Sequence, residues 1–188
     1  MSANIIDLAT EFAQKVHKSQ TRKGKTDPYI THPIAVSQIL AGVTNDEEII
    51  CAGILHDTIE DCEPYRSVTK QTIEEKFGAR VAKMVNDVTE QDKTLPWAVR
   101  KQQALDHIKE MDNNSILVKS ADVLHNLEDQ IADYKKEGET MWKRFNAGKE
   151  VQLARYEKLI TEIGIKWPQN PLLGKLEVNL HEVKRLWR

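Results

Sequence analysis

From Ile49 to Leu55 the chain reads Ile-Ile-Cys-Ala-Gly-Ile-Leu with no polar side, and it then changes to His56, Asp57, Glu60 and Asp61. A helix that is apolar all round is buried, so the fold has to wrap other elements around this segment and accommodate ionisable groups at its end. Continued at helical pitch, the segment puts His56 over Glu60 at i,i+4, with Asp57 one turn from both Glu60 and Asp61, so all four gather on one side. Three carboxylates and an imidazole in one place repel one another and lose hydration, at a cost of several kcal/mol per buried ion unless something compensates. A divalent cation is the simplest compensation. The alternative is a helix terminus whose acids merely face water, which is common for carboxylates.

The rest of the chain supplies helices to do the wrapping. Ile5, Leu8, Ala9, Phe12, Ala13 and Val16 recur at helical spacing and predict an amphipathic helix ending near Gln20. A basic loop follows at Thr21-Arg22-Lys23-Gly24-Lys25, and His32-Pro33 opens a second helix, because proline suits the first turn. Asn45 or Asp46 can cap the central helix, and Pro64 stops it continuing far past Asp61. Thr72 and Glu75 stand at capping-box spacing for a short helix that ends at Gly78, and Ala79 to Val88 carry the next apolar face. Pro96 begins a further helix, Asn113 or Asn114 caps one from Ser115 to about Tyr134, and a long helical pattern runs from Gly138 to Gly164. Pro168 and Pro171 set off a last helix over residues 172–187, with Trp167 to Pro171 as the one candidate hinge. No segment alternates as a strand would. The expectation is an all-α, single-domain helical bundle over residues 1–188, with the motif-bearing core at about 5–164.

Charge and composition narrow the function. The chain has 188 residues, 27 basic against 29 acidic side chains, and a net charge of −2, with the two signs interspersed. That balance does not predict a nucleic-acid or anionic-membrane partner. No apolar run approaches a membrane span, and Asp7 and Glu11 break any signal-peptide core, so a cytoplasmic location is expected. Cys51 and Cys62 are the only cysteines and have no metal-pair spacing.

Four candidate metal ligands stand in separate helices: His32, the pair His56 and Asp57, and Asp122. Two imidazoles and two carboxylates suit a borderline divalent ion such as Mn, Fe, Co or Zn, whereas a structural zinc knot would use thiolates. Asn126 lies one turn from Asp122 on the same face. Taken singly, His32 also reads as a helix-start or core histidine and Asp122 as a solvated acid. His17, His107, His125 and His181 show no helical metal-pair spacing and are expected at the surface or in the core. Trp142, Phe145 and Tyr156 are expected to pack the long helix against the core.

The order of the motifs carries a resemblance. Arg22-Lys23, Pro28-Tyr29-Ile30-Thr31-His32-Pro33, Leu55-His56-Asp57-Thr58-Ile59-Glu60-Asp61, Phe77-Gly78-Ala79-Arg80-Val81, Val88-Thr89 and Val118-Lys119-Ser120-Ala121-Asp122 with Asn126-Leu127 together resemble the HD superfamily of metal-dependent phosphohydrolases. The likeness is strongest to the hydrolase domain of RelA/SpoT proteins and to small alarmone hydrolases of the Mesh type. It implies an HD-type helical fold in which His32, His56, Asp57 and Asp122 bind one metal, usually manganese. By the same analogy Glu60 and Asp61 are the catalytic acids, and Arg22, Lys23 and Asn126 contact a small-molecule nucleotide. The implied reaction removes pyrophosphate from the ribose 3′ position of ppGpp, leaving GDP.

The chain also departs from the pattern that the resemblance implies. Ser120 and Val123 fall inside the Lys-x-Ala-Asp motif, where a basic residue commonly follows the aspartate, and Glu128 follows Asn126-Leu127 where arginine is common. Two missing positive charges beside a pocket for a polyanion would weaken binding or mark another substrate. Another phosphorylated nucleotide, or a nucleotide cofactor such as NADPH, is therefore an alternative within the class. A nucleotide sensor that does not hydrolyse its ligand is the alternative outside it.

Overall fold

The computed structural model describes residues 4–60, 68–90, 92, 94–145 and 147–187. Asp61, assigned above as a catalytic acid, lies outside the described residues, as do Cys62 and Pro64. Among the described residues there are nine α-helices and one 3₁₀ segment. No strand occurs among them; Thr21 and Pro28 make one isolated antiparallel bridge that closes the basic loop. The fold is all-α.

The helices are α1 (Ile5–Val16), α2 (Thr31–Ala41), α3 (Glu47–Leu55), α4 (Lys70–Phe77), α5 (Ala79–Val88), α6 (Trp97–His107), α7 (Asn113–Glu137), α8 (Lys149–Lys166) and α9 (Leu173–Leu186). Local chemistry sets their ends. The Asn4 side chain accepts from the Ile6 amide to start α1, and Asp46 accepts from Glu48 to start α3, where Glu47 and Glu48 also favour the positive end of the helix dipole. The cap of α4 is Thr69, reciprocating with Thr72, rather than the Thr72–Glu75 pair expected from spacing. Asp112 caps α7, one residue before the expected asparagines. Gly138, at φ +60°, ends α7, its amide bonding back to Tyr134. The expected continuous helix from Gly138 to Gly164 is broken into a 3₁₀ segment (Gly138–Arg144) and α8.

Every residue from Ile49 to Leu55 is buried, and α3 packs against α1, α2, α5 and α7. A Cβ on Gly53 would come within 2.4 Å of a Leu40 methyl, so glycine lets α2 and α3 approach closely. The long α7 lies against α2, α3 and α5 on one side and carries α9 on another. Leu172, Leu176, Val183 and Trp187 belong to the same buried cluster as the α1 to α5 core, and Trp187 meets Trp142 edge to face with ring centres 4.5 Å apart.

The stretch read as a hinge is pinned. Asn170 is buried, its amide donates to Ser120 Oγ at 2.7 Å, and its oxygen accepts from the Leu172 amide. Ser120, one of the departures from the family pattern, therefore anchors this turn to α7. No helix among the described residues is long and apolar enough to cross a membrane.

Candidate metal centre and the cavity beside it

Packing of α2, α3 and α7 brings three distant stretches of sequence to one point. His32 is the second residue of α2, His56 and Asp57 directly follow the last turn of α3, and Asp122 lies midway along α7. Helix α3 stops at Leu55 because the chain tightens there: the Thr58 amide and hydroxyl both donate to the Leu55 carbonyl, at 2.9 and 2.6 Å. Residues 56–60 form turns instead of the helical continuation assumed from sequence.

His32 Nε2 lies 3.1 Å from His56 Nε2 and 3.6 Å from Asp57 Oδ2. His56 Nε2 lies 3.1 Å from that same Asp57 oxygen. Asp122 Oδ1 reaches the two imidazole nitrogens at 3.4 and 3.8 Å. Donor atoms held ~2.1 Å from one ion would be roughly 3.0 to 3.4 Å from their neighbours around it. Three of these five separations fall in that range and the others, 3.6 and 3.8 Å, lie just outside it, with His32, His56 and Asp57 as the tighter group and Asp122 at its edge.

The proton positions support the fit. His56 Nδ1 faces the Gly53 carbonyl at 2.8 Å and must donate to it, which leaves Nε2 of the neutral ring as a bare lone pair. That lone pair points at the His32 nitrogen and at two carboxylate oxygens. A cation among them turns the repulsion into coordination, so the residues present fit a divalent metal.

The carboxylates and imidazoles also set one another's basicity. Burial alone would lower the basicity of His56, yet Asp57 and then Asp122 outweigh it and raise His56 to about 9. Burial would likewise raise Asp57, but His56 and His32 hold its carboxyl well below the usual range. For Asp122 the burial effect is overcome first by Lys119, whose ammonium lies 3.0 Å from Oδ2, and then by the two imidazoles.

Around these four side chains is a further layer, of which the sequence pointed to Asn126 but not to the contacts of Tyr29 and His125. The Tyr29 hydroxyl donates to Asp57 Oδ2 at 2.6 Å. Asn126 donates to Asp122 Oδ1 at 2.6 Å and accepts from Arg22 at 3.3 Å. His125, expected to have no part, places Nδ1 2.8 Å from His32 Nδ1. The signal was present: Asp122, His125, Asn126, Asp129 and Asp133 share one face of α7 at helical spacing.

Tyr29 and Asn126 also form part of the wall of a cavity of about 420 Å³. Arg22, Lys23 and Lys25 line it together with Arg100, Lys101 and Arg155, and Glu60, Asp129, Asp133, Phe145 and Tyr156 are also among the lining residues. Phe145 and Tyr156 thus face the cavity in addition to packing, which corrects their reading as core residues alone. Glu60 Oε2 accepts from the Glu90 amide at 3.1 Å, so the loop after α5 fixes this acid at the cavity edge.

The cations are already held. Arg22 and Lys25 pair with Asp129 at 2.9 and 2.6 Å, and Lys25 also reaches Asp133. Arg100 and Lys101 both pair with the buried carboxylate of Glu90. A second hollow, about 370 Å³, lies between α6 and α8 and shares Trp97, Lys101 and Arg155 with the first.

The motif departures fall elsewhere. Val123 is buried in the core, and Glu128, made less acidic by burial despite Lys175 on α9, does not line the cavity. The cavity is also lined by Arg100 and Lys101 from α6 and Arg155 from α8, to which no motif pointed.

A helical bundle that brings two histidines and two aspartates from three helices together beside a cationic cavity defines the HD class. The HD domain family matches residues 9–150, and the chain belongs to that family. It is 43% identical over 131 residues to the zebrafish guanosine-3′,5′-bis(diphosphate) 3′-pyrophosphohydrolase MESH1, covering 68% of this chain and 70% of that protein. The Xenopus tropicalis MESH1 is 41% identical over 130 residues, with the same coverage. A solved structure described as a metazoan ortholog of SpoT that hydrolyzes ppGpp superposes with a TM-score of 0.77 at 26% identity, over 98% of this chain and 96% of that one.

Proposed function

We propose that the protein is a metal-dependent phosphohydrolase that cleaves ppGpp to GDP and pyrophosphate. The observation that carries this is the convergence of His32, His56, Asp57 and Asp122 beside a cation-lined cavity, in a chain with MESH1 relatives at over 40% identity. In this reading those four side chains hold one divalent ion, Mn²⁺, which when bound supplies Lewis-acid polarisation of a phosphoryl oxygen and of water. The whole chain, 1–188, is read as one HD domain, because α9 shares its buried cluster with α1 to α5. We infer a cytoplasmic location, in keeping with a buried free thiol at Cys51.

The chain's own residues do the remaining chemistry. Glu60 sits at the cavity edge with one carboxylate oxygen fixed by the Glu90 amide, so that its carboxylate can take a proton from water attacking the phosphorus next to the ribose 3′ oxygen. Asp61, on the resemblance, returns a proton to that oxygen as it leaves. Arg22 and Lys23 bind phosphate and base at the basic loop, Lys23 lying over the Phe145 ring with 5.7 Å to its centre. Asn126 links Arg22 to Asp122 and so ties the nucleotide grip to the metal centre. The test is to incubate Mn²⁺-loaded protein with ppGpp and measure GDP and pyrophosphate in equal amounts; no turnover rejects the substrate.

A further inference from the structure

We infer that His125 is a positioning residue for the metal centre: it selects the tautomer of His32 by accepting that ring's Nδ1 proton. The inference rests on the reading of His32 as a ligand and adds a residue to it. With Nδ1 of His32 and Nδ1 of His125 only 2.8 Å apart, the pair shares a single proton, which belongs to one ring or the other.

The two arrangements have different consequences. If His125 donates, the proton of neutral His32 moves to Nε2, which faces His56 Nε2 at 3.1 Å. That proton fills the space where Asp57 and Asp122 also converge, and His32 cannot ligate. If His125 accepts, His32 carries its proton on Nδ1 and turns a bare Nε2 to the centre.

His56 shows the same device with a different acceptor. Its Nδ1 donates to the Gly53 carbonyl, which can only accept and therefore fixes the tautomer unconditionally. For His32 the corresponding partner is a second imidazole, able to take either role. The orientation is fixed by packing: the His32 ring lies between His56 and His125, with ring centres 5.0 and 4.8 Å away. His125 comes from α7, one turn from Asp122, so the contact also locks α2 to the helix that carries the fourth ligand.

The experiment measures Mn²⁺ binding to the full chain by titration, following free Mn²⁺ by electron paramagnetic resonance, with melting temperature of the metal-free protein recorded alongside. H125F keeps a planar ring and removes the acceptor; H125N keeps an acceptor atom near the position of Nδ1. Expected is an affinity loss of about 10- to 100-fold for H125F, the range found for partners of metal-bound histidines, with H125N within about threefold of wild type. If H125F does not fold, H125A takes its place against the same H125N comparison. Wild-type affinity in H125F overturns the inference while leaving the metal centre intact, and so does an equal loss in H125F and H125N. Absence of Mn²⁺ binding by the wild-type chain overturns the metal reading itself.

Discussion

The candidate metal centre, which adjoins the cavity through Tyr29 and Asn126, and the α6 wall of that cavity are built on opposite principles. At the metal centre, His32, His56, Asp57 and Asp122 hang from α2, α3 and α7, helices packed into the core with nearly every inward residue buried. In the α6 wall the helix buries none of its residues, and its Arg100 and Lys101 are held by ion pairs to Glu90 instead of by apolar packing. The first side is rigid because moving a ligand means moving a core; the second depends on charge-assisted bonds that a phosphate can replace. The difference suggests a division of labour in which chemistry is fixed on one wall and the ligand is gripped by the other.

The largest effect should follow from removing a ligand at the packed wall. Asp122→Ala or His56→Ala is expected to abolish Mn²⁺ binding and lower turnover by several kcal/mol, on the order of 10³-fold or more, because the Lewis acid is lost. Chelation of the wild-type enzyme should do the same and be reversed by added Mn²⁺. Retention of activity in either case would mean that the packed wall does not carry the reaction.

Next in size is Glu60→Gln. It is expected to reduce kcat by roughly 10² to 10⁴, the usual contribution of a general base, with Mn²⁺ affinity changed by no more than about twofold. Parallel loss of metal binding would move Glu60 from proton transfer to coordination. On the α6 wall, Lys101→Ala should raise KM about tenfold, the loss of one charge-assisted hydrogen bond, and leave kcat within about twofold. A collapse of kcat instead would erase the distinction between the walls.

The same contrast accounts for what could be read from the sequence. The packed wall is encoded locally: an apolar run with no polar side demands burial, and His32, His56, Asp57 and Asp122 occur in ordered motifs on predictable helices. Their immediate supports were within reach too, since Tyr29 is inside a quoted motif and His125 and Asp129 follow Asp122 along one helix face. The α6 wall had no such signature. Arg100 and Lys101 look like surface charges, and only the pairing with Glu90, ten and eleven residues earlier across a loop, turns them inward. Helix ends were misjudged where hydrogen bonds beyond the periodic pattern decided them, as at Leu55, where the Thr58 hydroxyl ends α3, and at Thr69 and Asp112, which outcompeted neighbouring cap candidates. Val123 and Glu128 were read as charge losses because a linear motif does not say which way a helix face points.

The smallest predicted effect concerns the basic loop, which is tied to α7 through Asp129. Burial alone would raise this carboxyl, but hydrogen bonds from Lys25 and Arg22 hold it below its ordinary value of 3.8. A carboxyl depressed in the folded state stabilises the fold fully above its unfolded value and loses that contribution as pH falls through the folded one. Asp129→Asn should therefore cost about 1 kcal/mol near neutral pH, because the side chain is partly exposed and Lys25 keeps Asp133 as a partner. The deficit should shrink below pH 4, where wild type protonates Asp129 as well. Denaturant unfolding of both proteins from pH 7 down to the acid transition measures this directly. Converging curves place the loop with the ion-paired wall, held by charge; a constant gap at every pH would mean that Asp129 acts by shape and that the loop belongs with the packed wall.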